Sequence, residues 1–193
     1  MKKINSLLLV VVLLSIGIGI SHAKKIEHNP VIAYATDPNA KEIRAYAVYN
    51  DFEENDPWAS ARNYARGELA NRIATLVTTA KDSYRNSSQA TENGKKIKTA
   101  SNQSETTVHT YAQELLRGAR EAKSEAYRQK DGTLTVYVCM EMSIEALIDN
   151  ISHDRRILKT NDDEDDSGVV DFDNPEKVAT FKRYVEQANS EHH

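Results

Sequence analysis

Between Asp163 and Asn174 the chain places oxygen-bearing side chains at the intervals of an EF-hand calcium loop. Asp163, Asp165, Ser167 and Asp171 fall at positions 1, 3, 5 and 9, Gly168 at position 6 and Val170 at position 8. A hard divalent cation needs such a ring of oxygens, and the glycine permits the sharp bend. Position 12 carries Asn174 where a bidentate glutamate completes the shell, so only weak calcium binding is expected. The same residues also read as an acidic, solvated linker, because any Asp-rich stretch with one Gly fits part of the pattern. No other cofactor is suggested.

The remaining chemistry-bearing residues lack the spacing that chemistry demands. His28, His109, His153, His192 and His193 do not fall at zinc-type intervals. Serines cluster at 83–88 and 101–104 with no Gly-x-Ser-x-Gly context, leaving a serine hydrolase without a nucleophile elbow. Glu53-Glu54 could serve a glycosidase, yet paired surface carboxylates are commonplace. Cys139 is the single cysteine and cannot form an internal disulfide. It sits inside the apolar run from Leu134 to Met142, which predicts a buried, inert thiol. Asn86, Asn102 and Asn150 each open an Asn-x-Ser sequon, meaningful only in a eukaryotic secretory pathway. The expectation is a protein that is not an enzyme.

The amino terminus predicts where these residues work. Met1-Lys2-Lys3 is followed by an apolar run from Leu7 to Ile20 and by Ser21-His22-Ala23. That is the layout of a secretory signal peptide, residues 1–23, cleaved to leave Lys24 first. The expected location is periplasmic or secreted. Lys24, not Cys, follows the cleavage point, so lipid attachment is not expected. Of 193 residues, 170 remain, and the formal charge of −4 becomes −6 once Lys2 and Lys3 are removed. A mildly acidic chain has no electrostatic reason to bind nucleic acid, and no later apolar run predicts a transmembrane segment.

Residues 24–41 contain Pro30 and Pro38 and predict an extended lead. Glu42 to Tyr49 alternates as a strand, with Ile43, Ala45 and Ala47 on one face and Arg44, Tyr46 and Val48 on the other. Asp56-Pro57 is a helix start: the carboxylate accepts orphan N–H groups and proline costs nothing at the first helical position. Trp58, Ala61, Ala65, Leu69, Ile73, Leu76, Ala80 and Tyr84 then form one apolar stripe. Glu68 and Arg72 are spaced for a solvent-side ion pair. Asn86 to Lys98 predicts a loop or a frayed helix end. A second helix is expected over roughly 102–117, stopped by Gly118. Weak alternation from Arg120 to Gln129, the turn Lys130-Asp131-Gly132-Thr133, and the two-faced apolar run Leu134–Met142 predict a hairpin whose second strand is interior. Ser143 caps a helix with Leu147, Ile148 and Ile151 inside. Pro175 to about Ala188 is a final amphipathic helix.

The run from Trp58 to Ile73 resembles the first helix of the LPP20 lipoprotein family, with its Ala-Arg-x-x-Leu-Ala-x-x-Ile pattern carried by Ala65, Arg66, Leu69, Ala70 and Ile73. Leu115-Leu116-Arg117-Gly118-Ala119, Asp131-Gly132-Thr133 and Val136-Tyr137-Val138 match the family's second half. The resemblance covers roughly 42–150. It implies an α+β fold, a small antiparallel or mixed sheet covered on one face by helices, with a C-terminal helix added here. Comparable folds occur in the N-terminal domain of flagellar assembly protein T and in an outer-membrane activator of a peptidoglycan synthase, which are interaction modules. The expected organisation is a signal peptide (1–23), an extended lead (24–41), the LPP20-like domain (42–158), an acidic linker (159–174) and a terminal helix and tail (175–193). The expected function is an exported, non-enzymatic envelope module binding another envelope protein or a cell-wall component. The alternatives are a wall or peptide hydrolase whose site only the fold assembles, and a calcium-responsive adaptor.

Overall fold

A computed structural model describes residues 29–92, 114–153 and 170–191. The expected signal segment, most of the helix expected over 102–117, and Asp163, Asp165 and Ser167 lie outside the described residues.

The stretch expected as an extended lead holds helix α1, Pro30–Ala35. Asn29 Oδ1 accepts from the N–H of Val31 at 2.8 Å and of Ile32 at 3.3 Å, and Pro30 sits at the first helical position. Pro30, counted towards an extended lead, instead starts a helix. Strand β1 is Ile43–Asp51, followed by a short 3-10 turn at Glu53–Asn55.

Helix α2 spans Pro57–Glu92, 36 residues, about 54 Å at 1.5 Å per residue. It begins as the sequence implies, with Asp56 Oδ1 accepting from Ala59 N–H at 3.1 Å. It continues well past Tyr84, through part of the stretch expected as a loop or a frayed helix end. Polarity there removed the apolar stripe, but Ser, Gln, Ala and Glu are compatible with a helix already nucleated upstream.

Strands β2, Arg120–Arg128, and β3, Leu134–Met142, form the hairpin. Gly132 has φ +90°, and Asp131 Oδ1 accepts from both the N–H and the hydroxyl of Thr133, fixing the turn. The sheet is antiparallel in the order β1-β3-β2, so β3 is the interior strand, as its two apolar faces imply. The β1–β3 register runs from Ile43 opposite Met142 to Asp51 opposite Leu134. A bulge between Glu121 and Lys123 interrupts the β2–β3 ladder.

Helix α3, Ile144–His153, is capped by Ser143 Oγ, which accepts from Ala146 N–H at 3.1 Å. Asn150 Nδ2 donates to the carbonyls of Leu115 (2.9 Å) and Arg117 (2.8 Å), closing the chain turn before Gly118, whose φ is +88°. Helix α4 is Pro175–Glu191.

The α2 stripe packs on the β1 and β3 side chains that alternation sends towards it. Leu69, Ile73, Leu76, Val136 and Val138 are fully buried in one cluster with Ile43, Met142 and Leu147. Helix α4 belongs to that cluster too. Phe181 and Val185 are fully buried, and Phe181 meets Tyr84 and Phe172 edge-on, with ring centroids 6.3 and 6.2 Å away. The terminal helix is therefore part of the core, although the expected organisation set it apart from the domain beyond a linker. The acidic stretch before it concealed this, because a linker-like sequence says nothing about where the next helix docks.

Candidate functional site

Alternation along the strands sends a second set of side chains away from α2. On β1 these are Arg44, Tyr46, Val48 and Asn50; on β3, Thr135, Tyr137, Cys139 and Glu141. The bulge resets the phase of β2, so that Arg120, Lys123, Glu125 and Tyr127 lie in register with them. Helix α1 covers one end of this outer face through Val31 and Ala35, which pack with Cys139.

Under α1 lies the densest polar cluster among the described residues, centred on Glu141, only 3% exposed. Its Oε2 accepts from the Tyr34 hydroxyl at 2.8 Å and from Arg44 Nε at 3.2 Å. Its Oε1 accepts from Arg120 Nη2 at 2.7 Å and Nε at 3.1 Å. Arg44 is buried as well; it donates to the Tyr34 carbonyl at 3.1 Å and to Glu42 at 3.0 Å. Its guanidinium lies 3.8 Å from the centre of the Tyr34 ring. One carboxylate thus ties α1, β1, β2 and β3 together.

Burial alone would raise the Glu141 pKa, but the hydrogen bonds from Tyr34, Arg120 and Arg44 outweigh it and hold the group below the ordinary glutamate value. The hydrogen bond to Glu141, with burial, raises the Tyr34 phenol. Burial pushes the Cys139 thiol up to about 11, so no appreciable thiolate exists at neutral pH. A carboxylate surrounded by donors and held ionised is suited to clamping segments; a general acid needs the opposite shift.

A cavity of about 570 Å³ opens where the start of β1 meets α3 and α4, with Glu42, Ser143, Glu145, Glu186 and Ser190 on its wall. These groups are engaged by the scaffold. Glu42 pairs with Arg44, Glu145 with Lys182 at 2.7 Å, and Ser143 caps α3. Glu186 lies 3.7 Å from Lys182, and Ser190 Oγ donates to the Gln187 carbonyl at 2.7 Å.

Of the candidate calcium ligands, Asp171 alone is described. Its Oδ1 accepts from Asp173 N–H at 3.1 Å, and Lys177 Nζ approaches its Oδ2 at 3.9 Å. Asn174, at the position that departs from the loop pattern, is the cap of α4: its Oδ1 accepts from the N–H groups of Glu176 and Lys177 at 3.0 and 3.4 Å. Its identity is thus explained by helix initiation. Among the described residues no three His, Cys, Asp or Glu side chains gather as a metal set. His153 is exposed at the end of α3, its Nδ1 2.8 Å from the Asp149 carbonyl. Arg72, expected on the solvent side, turns inward and donates to the Arg44 carbonyl at 2.9 Å and to Asn189 Oδ1 at 3.2 Å.

Sequence reasoning missed Glu141. The available signal was a lone acid inside an otherwise apolar interior strand, with arginines on both flanking strands able to reach it.

Beyond α1 the outer face is open and aromatic. Tyr127 is 44% exposed and meets Tyr137 edge-on at 5.8 Å, beside Glu125 and Thr135. On the other side, Tyr64 of α2 stacks on Tyr49 of β1 at 5.6 Å. Among the described residues no helix is long and apolar enough to cross a membrane. Comparison with family models, with curated proteins and with solved structures finds no match in any of the three.

Proposed function

We infer that this chain is an exported interaction module of the cell envelope, binding another envelope protein or a wall component without catalytic machinery of its own. The observation that carries this reading is how its acids are used. Among the described residues, the carboxylates displaced from their ordinary pKa, namely Asp51, Glu121, Asp131, Glu141 and Glu145, are all held low by hydrogen bonds from this chain's own groups. A hydrolase working through a general acid needs one carboxyl pushed upward beside a second group. The tyrosine-faced half of the sheet offers the mixed apolar and hydroxyl surface that recognition favours, since aromatic rings give large contact area at small entropic cost. The resemblance to the LPP20 lipoprotein family and the signal-like first 23 residues point the same way.

The test is site-specific photo-crosslinking from position 127 in the exported protein, in intact envelopes. A discrete adduct with one envelope component supports the reading, and Tyr137→Lys, beside the crosslinker on the same face, should abolish it. Turnover of wall fragments or peptides by the purified protein, lost on replacing a single carboxylate, would replace this reading with the hydrolase.

A further inference from the structure

The two edges of the sheet are built differently. β2 carries Arg120, Glu121, Lys123, Glu125 and Arg128, and its ladder is bulged. Charges and bulges are the devices by which proteins keep an edge strand from pairing. β1 has neither from Ala45 to Asn50. That stretch is uncharged, contains no proline, and keeps unbroken register with β3.

Side chains close one end of the β1 edge. Arg72 Nη1 donates to the Arg44 carbonyl at 2.9 Å, and Asn189 Nδ2 reaches the Glu42 carbonyl at 3.5 Å. In an antiparallel strand the N–H and C=O of one residue point to the same side, alternating along the chain. Glu42 and Arg44 share the phase that faces away from β3, and therefore so do Tyr46, Val48 and Asn50. Among the described residues no strand lies beyond them. Around this edge stand Val48, Phe52 and Tyr64, each among the large apolar side chains left exposed.

We propose that the β1 edge pairs with the β1 edge of a second copy of this chain, antiparallel, about a two-fold axis at Val48. The free stretch runs from Ala45, after the capped Arg44, to the strand's end at Asp51, and Val48 is its midpoint. Pairing about Val48 sets Tyr46 opposite Asn50, Val48 opposite Val48 and Asn50 opposite Tyr46. All three outward residues then exchange both backbone bonds, about six in total. A centre at Ala47 would need the Arg44 groups that Arg72 already caps. A centre at Tyr49 would pair Tyr46 with Phe52, beyond the strand. No like charges meet in the Val48 register, and Tyr49 faces the partner's Ala47, with Tyr64 stacked behind it. The product is a continuous six-stranded sheet, an arrangement independent of what the module binds.

The experiment is sedimentation velocity on the mature full-length chain from low to high micromolar concentration. The unmodified protein should dimerise. Val48→Lys and Val48→Glu each replace a side chain already 43% exposed, so the monomer fold should survive, as circular dichroism would verify. Each variant alone should be monomeric, its dissociation constant raised at least about tenfold by like charges directly opposed. Mixed in equal amounts, the two should recover a heterodimer. A native chain that stays monomeric overturns the proposal, as does a dimer indifferent to both variants. So does a monomer whose edge instead takes up an added extended peptide that Val48→Lys excludes.

Discussion

Replacing Glu141 by alanine removes the acceptor of four hydrogen bonds from three segments of chain. The cost depends on what each donor has left. Arg120 is largely exposed and regains water, so it contributes little. Tyr34 is half-buried and loses the acceptor of its hydroxyl. Arg44 is buried and keeps Glu42 and the Tyr34 carbonyl, so its charge is not wholly orphaned. Breaking a buried ion pair from one side costs about 3–5 kcal/mol, and the surviving partners of Arg44 place this case near ~3 kcal/mol. With a urea slope of about 1.5–2 kcal/mol per molar, the midpoint should fall by about 1.5–2 M at neutral pH. The sign of the pH dependence follows from the lowered pKa of Glu141. The stabilisation is complete above the unfolded value and is lost as pH falls through the lower folded value. Other acids titrate in the same range, so the informative quantity is wild type minus Glu141→Gln. That difference should be constant above about pH 5 and shrink as the pH drops below the ordinary glutamate value of 4.5. Urea unfolding of wild type, Glu141→Ala and Glu141→Gln at a series of pH values measures all of this. A loss under ~0.5 kcal/mol for Glu141→Ala, which is the range of surface substitutions, would refute the clamp. A wild-type-minus-Gln difference undiminished at pH 2 would refute the linkage.

Ile73→Ala should cost about 2–5 kcal/mol and Phe181→Ala about 3–5 kcal/mol in the same urea assay, since both side chains are fully buried. If Phe181→Ala proves neutral, α4 is not holding the core together. Cys139 should resist thiol reagents in the native state and react only on unfolding; stoichiometric modification at neutral pH without loss of secondary structure would contradict its burial. Millimolar calcium should give no protection against proteolysis within 163–174, and slowed cleavage there would revive the adaptor reading.

The α2 stripe, the interior character of β3 and the Asp-Gly hairpin were legible because each is a local pattern whose meaning does not depend on distant chain. Where the reading failed, distance was involved. Nothing local says that Phe181 crosses to Tyr84, or that Arg72 turns from its helical neighbour towards a strand carbonyl. The α1 error was of another kind: Asn29-Pro30 is the same cap-and-proline signal as Asp56-Pro57, but it precedes too short a stretch for periodicity to register. The weak alternation from Arg120 to Gln129 has a concrete cause in the bulge, which moves Lys123 to the outer face and aligns Arg120 with Glu141. The Glu141 cluster draws its members from four elements, so no window of sequence contains it.

Asn150 carries a consequence for how this protein can be produced. Its Nδ2 is the atom to which an oligosaccharyltransferase would join a glycan, and Asn150-Ile151-Ser152 is an acceptor sequence. In the fold that nitrogen donates to the carbonyls of Leu115 and Arg117. A glycosylated nitrogen keeps only one hydrogen, so it can no longer donate to both carbonyls. In a eukaryotic secretory host, modification of the emerging chain and closure of this turn compete for the same atom. Asn86, exposed on α2, offers no such conflict. Glycan occupancy at 150 would therefore report how often the chain was caught before the turn closed.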